Sequence, residues 1–187
     1  MKTISIIDIE NIYLIKEFDC GNRYLNEYFR RFALYNDITN IGRTFVFENQ
    51  DCIVGFYTLA TCHISFKDMS ESYKNENPKY DVPAVKICRL GVNRTYQRNG
   101  IGRELIKDAI RRIVLSSYQI AVKAIVVDPK EESVEFYKKF PFKMLENGLM
   151  ILHIETAKNL IGIESLDHHS KKTKRKLFDP HKMKYED

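Results

Sequence analysis

A loop in the middle of the chain has the composition of a phosphate site. The segment Gln97-Arg98-Asn99-Gly100-Ile101-Gly102 stands directly before an apolar helix pattern. Unpaired backbone N–H groups and the helix dipole favour a phosphate at a helix N-terminus, and glycine lets the backbone approach an oxygen closely. Arg94, Arg98 and Arg103 add positive charge around it. The segment therefore predicts a phosphate site made of backbone amides.

Two common nucleotide-binding motifs do not fit this loop. A Rossmann fingerprint needs a third glycine at position 105, where Leu105 stands, and a Walker A loop needs a Gly-Lys-Ser/Thr ending that the segment lacks. A tight strand–helix turn with a solvated basic face remains the alternative to a phosphate site.

A second candidate is Tyr137, in the aromatic segment Phe136-Tyr137-Lys138-Lys139-Phe140-Pro141-Phe142. A tyrosine hydroxyl is able to act as a general acid. An aromatic residue between Val134 and Phe140 is also typical of a core position, and the residues alone leave both interpretations open.

The elements that must position these residues follow from periodicity. The pattern predicts amphipathic helices over 21–37 and 100–117. A third helix is expected from Pro129 to Phe140, with Asp128 as its cap and Glu131 completing a capping box. Expected strands are 43–48, 52–66, 83–92, 122–127, 142–145 and 149–154, with a surface loop at 67–82. This order predicts an α/β fold with a mixed sheet flanked by helices.

Composition and charge exclude several classes of protein. The chain has 187 residues, 44% of them hydrophobic and 29% charged, which is close to globular averages. The longest uncharged stretch, 53–66, is shorter than a membrane span, and acidic residues interrupt the N-terminus before any signal-peptide core. Four scattered cysteines lack metal-ligand spacing. We expect a cytoplasmic protein without a metal, a disulfide or a membrane span.

The two segments that could do chemistry resemble motifs of one family, the GNAT N-acetyltransferases. Arg89-Leu90-Gly91-Val92 followed by Gln97-x-x-Gly100-x-Gly102 is similar to their motif A. The segment 136–142 is similar to their motif B. A weaker resemblance, at 18–21, 25–29, 43–46 and 54–60, is to the branch that includes the toxins of toxin–antitoxin pairs, which acetylate the amino group of aminoacyl-tRNA.

The resemblance implies a fold and a set of roles. It implies the acyl-CoA N-acyltransferase fold: a mixed, mostly antiparallel sheet whose central strands splay apart around acetyl-CoA. Tyr137 would protonate the departing thiolate after an amine attacks the thioester directly. The cofactor-binding residues would be Leu90, Gly91 and Val92 toward the pantetheine arm, and Gln97, Arg98, Asn99, Gly100, Ile101, Gly102 and Arg103 around the pyrophosphate.

Two departures and one absence qualify the match. Pro141 stands at the motif B glycine, and Lys130 stands where many relatives have a cofactor-contacting asparagine. The motif A strand contains no carboxylate, and capping already accounts for Asp128 and Glu131. An α-amine has a pKa of about 7.7, so it loses its proton more readily than a lysine side chain, whose pKa is about 10.4. The missing base therefore favours an α-amine acceptor.

The C-terminus carries a separate concentration of charge. The formal net charge is +5, and residues 168–187 hold seven basic and three acidic side chains. We expect a GNAT domain over 1–160 and a basic tail over 161–187. The tail is expected either to dock tRNA or to be a solvated segment; its basic cluster is Lys171, Lys172, Lys174, Arg175 and Lys176.

Several acceptors and partners follow from these expectations. The leading acceptor is the α-amine of aminoacyl-tRNA. The alternatives are a small amine, a polyamine or a protein N-terminus, or a catalytically silent acyl-CoA-binding module. The toxin-like resemblance also implies an antitoxin protein and a homodimer.

Overall fold

A seven-stranded mixed sheet forms the centre of the protein, in the order β1-β2-β3-β4-β5-β7-β6. A computed structural model describes residues 2–49, 52–69, 74 and 79–162. The basic cluster of the predicted tail lies outside the described residues. The strands are β1 (Lys2–Ser5), β2 (Arg43–Glu48), β3 (Ile53–Ile64), β4 (Val82–Val92), β5 (Ala124–Val127), β6 (Lys143–Met144) and β7 (Met150–His153).

The two central strands part as the resemblance implies. Within the described sheet, β4 and β5 form the single parallel pair, and every other pair is antiparallel. The parallel register ends where Ile87 faces Val127, whereas β4 continues to Val92. The last five residues of β4 therefore have no partner on the β5 side. This opening is where the predicted cofactor residues Leu90, Gly91 and Val92 lie.

Helices cover both faces of the sheet. They are α1 (Tyr13–Glu17), α2 (Arg23–Arg31), α3 (Ala33–Ile38), α4 (Ile101–Ser116), α5 (Val134–Tyr137) and α6 (Ile154–Leu160). The predicted apolar stripe of α4 is buried, with Leu105, Ile106 and Ala109 fully inaccessible. It packs with β3, β4 and β5 in the largest core. Phe18, Phe29 and other apolar residues of the α1–α3 region form a second core with β2 and β3.

Three predicted elements differ from the structure. The helix expected over 21–37 is two helices, because Phe32 adopts φ −117° between α2 and α3. The helix expected from Pro129 begins later, with a 3-10 turn at Glu131–Ser133 followed by α5. Asp128 caps no helix, because its carboxylate accepts a 2.9 Å bond from Lys86 Nζ instead.

Two elements at the ends of the described chain were not predicted. Strand β1 pairs with β2 at one sheet edge. Helix α6 follows β7 directly and buries Ile154, Ala157 and most of Lys158. In the part of the chain that the structure describes, no helix combines the length and apolar character needed to cross a bilayer.

Candidate active site

A cavity of about 1020 Å³ opens where β4 leaves β5. It brings together segments that are far apart in the sequence: the start of α2, the end of β4, the glycine loop before α4, and the segment around α5. Its lining residues are Cys20, Asn22, Leu25, Leu90, Gly91, Val92, Gln97, Arg98, Gly100, Gly102, Arg103, Glu132, Ser133, Phe136, Tyr137, Lys139 and Phe140. Nine of the eleven predicted site residues are in this set; Asn99 and Ile101 are not.

The glycine loop has the backbone geometry of a helix N-terminal anion site. Gly100 precedes α4 with φ 80°, and Arg98 also adopts a left-handed conformation, with φ 62°. The carbonyl of Gly100 accepts the backbone N–H groups of Arg103 and Glu104 at 3.0 and 3.2 Å. The preceding amides at the helix start, those of Ile101 and Gly102, are left for a ligand. An anion at this place is stabilised by the helix dipole.

Gln97 holds two sides of the cavity together. Its Nε2 donates to the carbonyl of Cys20 at 2.8 Å and to that of Val92 at 3.0 Å. The first bond joins residues 77 positions apart in the chain. Gln97 therefore positions the loop between β4 and α4 as well as lining the cavity.

Arg94 does not contribute to the cavity as its sequence position suggested. Its Nε lies 3.3 Å from Asp19 Oδ2, and its backbone N–H donates to the Asp19 carbonyl at 2.9 Å. The pKa of Asp19 is lowered, first by a hydrogen bond from the Gly21 N–H and then by the Asn26 side chain. The cations that line the cavity are Arg98, Arg103 and Lys139.

Tyr137 lies at the end of α5, opposite the glycine loop. The side chain is 8% exposed, and its ring makes edge contacts with Phe136 and Phe142. Burial raises the pKa of Tyr137 to about 12. The phenol therefore stays protonated at neutral pH. Its hydroxyl forms no hydrogen bond with any described residue, so it is available to a ligand in the cavity.

Close packing joins the loop to the aromatic segment. A Cβ on Gly102 would lie 3.3 Å from Phe136 Cε2, which is tighter than most Cβ contacts. Gly91 faces a tighter limit, because a Cβ there would lie 2.7 Å from Phe56 Cε1. Close approach therefore requires a glycine at position 91, whereas a side chain at position 102 would need the Phe136 ring to shift by a few tenths of an ångström. Neither glycine has a positive φ.

The structure adds cavity residues that the sequence argument did not assign. Cys20, Asn22 and Leu25 come from the start of α2, and burial raises the pKa of the Cys20 thiol. Phe136, Lys139 and Phe140 belong to the aromatic segment that was noted for Tyr137 alone. Among the described residues that line the cavity, Glu132 is the one carboxylate, and it is exposed. Among the described residues, no group of three metal-ligating side chains occurs.

The splayed strands, the amide loop at the start of α4 and the buried tyrosine together define an acyl-CoA N-acyltransferase. The chain belongs to the GNAT acetyltransferase family, whose profile, described as the Acetyltransferase (GNAT) family, matches residues 6–142. It is an acetyl-CoA-dependent N-acetyltransferase. This confirms the fold class and the reaction type that the motifs implied.

The chain is similar to a protein named as a toxin and to solved structures of the same fold. A "tRNA-acetylating toxin" from Mycobacterium tuberculosis is 33% identical over 152 residues, which is 79% of this chain and 90% of that protein. A solved structure of AtaT complexed with acetyl-methionyl-tRNAfMet has a TM-score of 0.75 at 20% identity, and the match covers 85% of this chain and 98% of that one. An AtaT mutant bound to acetyl-CoA and the C-terminus of the antitoxin AtaR has a TM-score of 0.73, at 20% identity and with 85% and 96% of the two chains covered.

Proposed function

We propose that this enzyme transfers the acetyl group of acetyl-CoA to the α-amine of aminoacyl-tRNA and acts as a toxin. The observation that carries the acceptor is the 33% identity, over most of both chains, to a protein named as a tRNA-acetylating toxin. The observation that carries the chemistry is the buried Tyr137, which lines the same cavity as the amide loop.

Acetyl-CoA is proposed to lie along the cavity, from the amides at the start of α4 to Tyr137. Acetyl-CoA, when bound, supplies an acetyl thioester. The amides at the start of α4 and the side chains of Arg98 and Arg103 hold the pyrophosphate. The main chain of Leu90, Gly91 and Val92, which has no partner on the β5 side, pairs with the pantetheine arm.

The reaction proposed is a direct attack without a covalent enzyme intermediate. The amine nitrogen forms a bond to the thioester carbonyl carbon, and the carbon–sulfur bond then breaks. Tyr137 gives its hydroxyl proton to the departing sulfur and recovers a proton from solvent. The proton lost by the amine passes to water, since none of the described residues that line the cavity is a buried carboxylate.

The same lack of a base supports an α-amine acceptor. Glu132 is exposed, and Asp128 lies outside the lining and is paired with Lys86. An α-amine has a pKa of about 7.7, so a substantial fraction of it is neutral at pH 7 and it needs no strong base. A lysine side chain has a pKa of about 10.4 and is almost fully protonated at the same pH.

The contacts of α2 and β2 restrict where the tRNA binds. Arg30 Nε donates to the Phe18 carbonyl, Arg31 pairs with Glu27, and Arg43 pairs with the buried Asp37. The carboxylates compensate the charge of Arg31 and Arg43, whereas the carbonyl bond holds the Arg30 side chain without neutralising it. Two of the three arginines therefore offer little charge to a polyanion, and we assign tRNA docking to the basic cluster Lys171, Lys172, Lys174, Arg175 and Lys176. The AtaT structure that contains the C-terminus of the antitoxin AtaR supports an antitoxin partner. We include a homodimer and action in the cytoplasm in the proposal.

Transfer of labelled acetyl to three acceptor pools tests the proposal. The pools are charged tRNA, deacylated tRNA and a mixture of small amines and peptides with free N-termini. We expect label in charged tRNA that mild ester hydrolysis releases. Label confined to the amines or peptides would replace tRNA with that acceptor, and binding of acetyl-CoA without any transfer would favour a silent binding module.

A truncated chain lacking 168–187 tests the docking segment. We expect weaker binding of charged tRNA and unchanged affinity for acetyl-CoA. An unchanged KM for charged tRNA would remove the tail from the proposal without affecting the acceptor assignment.

A further inference from the structure

The side chain of Arg89 is a cation that the reaction proposed above does not use. Arg89 follows the last β4 residue that pairs with β5, Ile87, and precedes the cavity residue Leu90. It therefore lies where the two strands part. Its partner in the register of β3 and β4 is Thr58, whose hydroxyl accepts a hydrogen bond from Tyr28 of α2. Partners in an antiparallel pair share a face, so Arg89 lies on the face of the sheet that α2 covers.

Two contacts hold the Arg89 guanidinium in place. Its Nη1 donates to the Cys88 carbonyl at 2.7 Å, and its central carbon lies 5.2 Å from the centroid of the Tyr28 ring. Tyr28 in turn stacks on the buried Phe56, with 6.4 Å between the ring centroids, and donates its hydroxyl to Thr58 at 3.3 Å. The guanidinium therefore packs on a tyrosine that is itself held at both its ring and its hydroxyl.

The charge of Arg89 is not compensated by any residue that the structure describes. The other cation of β4, Lys86, is paired with Asp128 at 2.9 Å, whereas no described carboxylate pairs with Arg89. The Nε and Nη2 atoms of Arg89 have no hydrogen-bond partner in the same part of the chain, and the residue is exposed. A guanidinium edge of this kind matches two oxygens of a phosphate or a carboxylate.

The position of the donor leaves the face of Arg89 for the acceptor. Helix α4, whose first amides are assigned to the donor pyrophosphate, bonds to Tyr57 of β3, whereas α2 stacks on Phe56. Adjacent residues of a strand point to opposite faces of the sheet, so the donor phosphates and Arg89 lie on opposite faces. In an aminoacyl nucleotide only the ribose separates the ester from the phosphate. An amine that reaches the thioester at the opening therefore brings that phosphate close to Arg89.

We propose that the Nε–Nη2 edge of Arg89 binds the phosphate of the 3′-terminal nucleotide of the acceptor. This contact holds the aminoacyl ester so that its α-amine faces the thioester at the opening. The inference rests on the proposed function, because it takes charged tRNA as the acceptor. It adds a residue that distinguishes an aminoacyl nucleotide from a free amine, and Arg89 transfers no proton in the reaction.

Two stable mimics of the acceptor end test this assignment, 3′-aminoacylamino-adenosine with and without a 5′-phosphate. Calorimetric titration into the enzyme saturated with CoA measures their affinities without acetyl transfer. We expect the wild type to bind the phosphorylated mimic about 10-fold more tightly, the scale of one charge-assisted contact. In Arg89→Gln the preference falls to about 2-fold or less, because only the phosphorylated mimic binds more weakly. The affinity of this variant for CoA should be unchanged.

Two further variants separate the planar edge of Arg89 from its charge. Lys86→Gln removes one charge from the same strand and should keep the full preference, because that ammonium is already paired with Asp128. Arg89→Lys keeps a cation but not the two-pronged edge, so its preference should lie between those of the wild type and Arg89→Gln. Equal affinities of the wild type for the two mimics would overturn the proposal, as would a full preference in Arg89→Gln.

These titrations involve no acetyl transfer, so their result can be told apart from that of the acceptor test. Acetylation of charged tRNA by an enzyme that binds both mimics equally, or neither, would reject the role of Arg89 and keep the proposed function. A phosphate preference that depends on Arg89, in an enzyme that does not acetylate charged tRNA, would keep the phosphate site and reject the tRNA acceptor.

Discussion

The hydroxyl of Tyr57 on β3 donates a 2.5 Å hydrogen bond to Asp108 Oδ2 on α4. The same carboxylate oxygen accepts from Arg112 Nε at 2.9 Å, and the Arg112 guanidinium lies 4.0 Å from the centroid of the Phe45 ring. Burial and the neighbouring carboxylate raise the pKa of Tyr57, which keeps it a donor. This cluster fixes α4, and hence the amide loop at its start, against the sheet.

Asp108→Asn should destabilise the protein by about 1–3 kcal/mol, because it weakens the acceptor for Tyr57 and leaves the half-buried Arg112 without its counter-charge. Urea denaturation measures the loss. The control is Glu104→Gln, four residues earlier on α4, which breaks an exposed pair with Lys107 and should cost about 0.5 kcal/mol or less. Equal losses in the two variants would show that the cluster does not anchor α4.

Tyr137→Phe should lower kcat by about 100-fold or more, because the departing thiolate loses its proton donor. The affinity for acetyl-CoA should change by less than about 2-fold, since the ring and its contacts with Phe136 and Phe142 remain. Single-turnover acetyl transfer and titration of the donor measure the two quantities separately. Tyr24→Phe, at a site 82% exposed, is the matched control and should leave both unchanged. A normal kcat in Tyr137→Phe would remove the proposed acid.

The same variant should change the alkaline stability of the protein. The pKa of Tyr137 is about 12 when folded against 10.0 as the reference value, so the neutral form is favoured by folding. Its contribution is complete below about pH 10 and is lost as the pH rises toward 12. The wild type should therefore lose about 1 kcal/mol more than Tyr137→Phe between about pH 8 and pH 11. Urea midpoints at the two pH values measure this, and parallel losses would contradict the burial of the phenol.

Gly102→Val should weaken acetyl-CoA binding, because the new side chain enters the 3.3 Å gap toward Phe136 and displaces the aromatic segment. Overpacking of this kind costs about 1–3 kcal/mol of folding stability. Because the displaced aromatic segment also lines the cavity, we expect an affinity loss of about 10-fold, on the scale of that cost. Gly148→Ala is a control for substitution of a glycine, since nothing lies within 4 Å of its added Cβ, although its φ of 84° costs some stability. Gly148→Ala should therefore bind acetyl-CoA normally, and a normal affinity in Gly102→Val would show that the segment yields easily.

Helices and strands were predicted well wherever a single periodic pattern of apolar residues specified them. The apolar stripe of α4, the hairpin of β2 and β3, and the strand ending at Val92 follow from repeats of 3.6 and 2 residues. The predicted start of α5 was wrong because the Asp128 carboxylate can form two different interactions. The local one is to cap a helix that begins at Pro129. The other, the ion pair with Lys86 on β4, is available only after the sheet has formed.

The sequence by itself determined the parts that carry the chemistry. These are an amide loop before a helix, a tyrosine in an aromatic segment, and a strand over 83–92 that contains no carboxylate. Only the tertiary structure decided how they meet. Gln97 joins Cys20 to Val92, Asp19 withdraws Arg94 from the cavity, and Tyr28 packs against Arg89 at the opening between β4 and β5. Local patterns encode backbone geometry, whereas charge balance and cavity shape depend on side chains that folding brings together from distant positions.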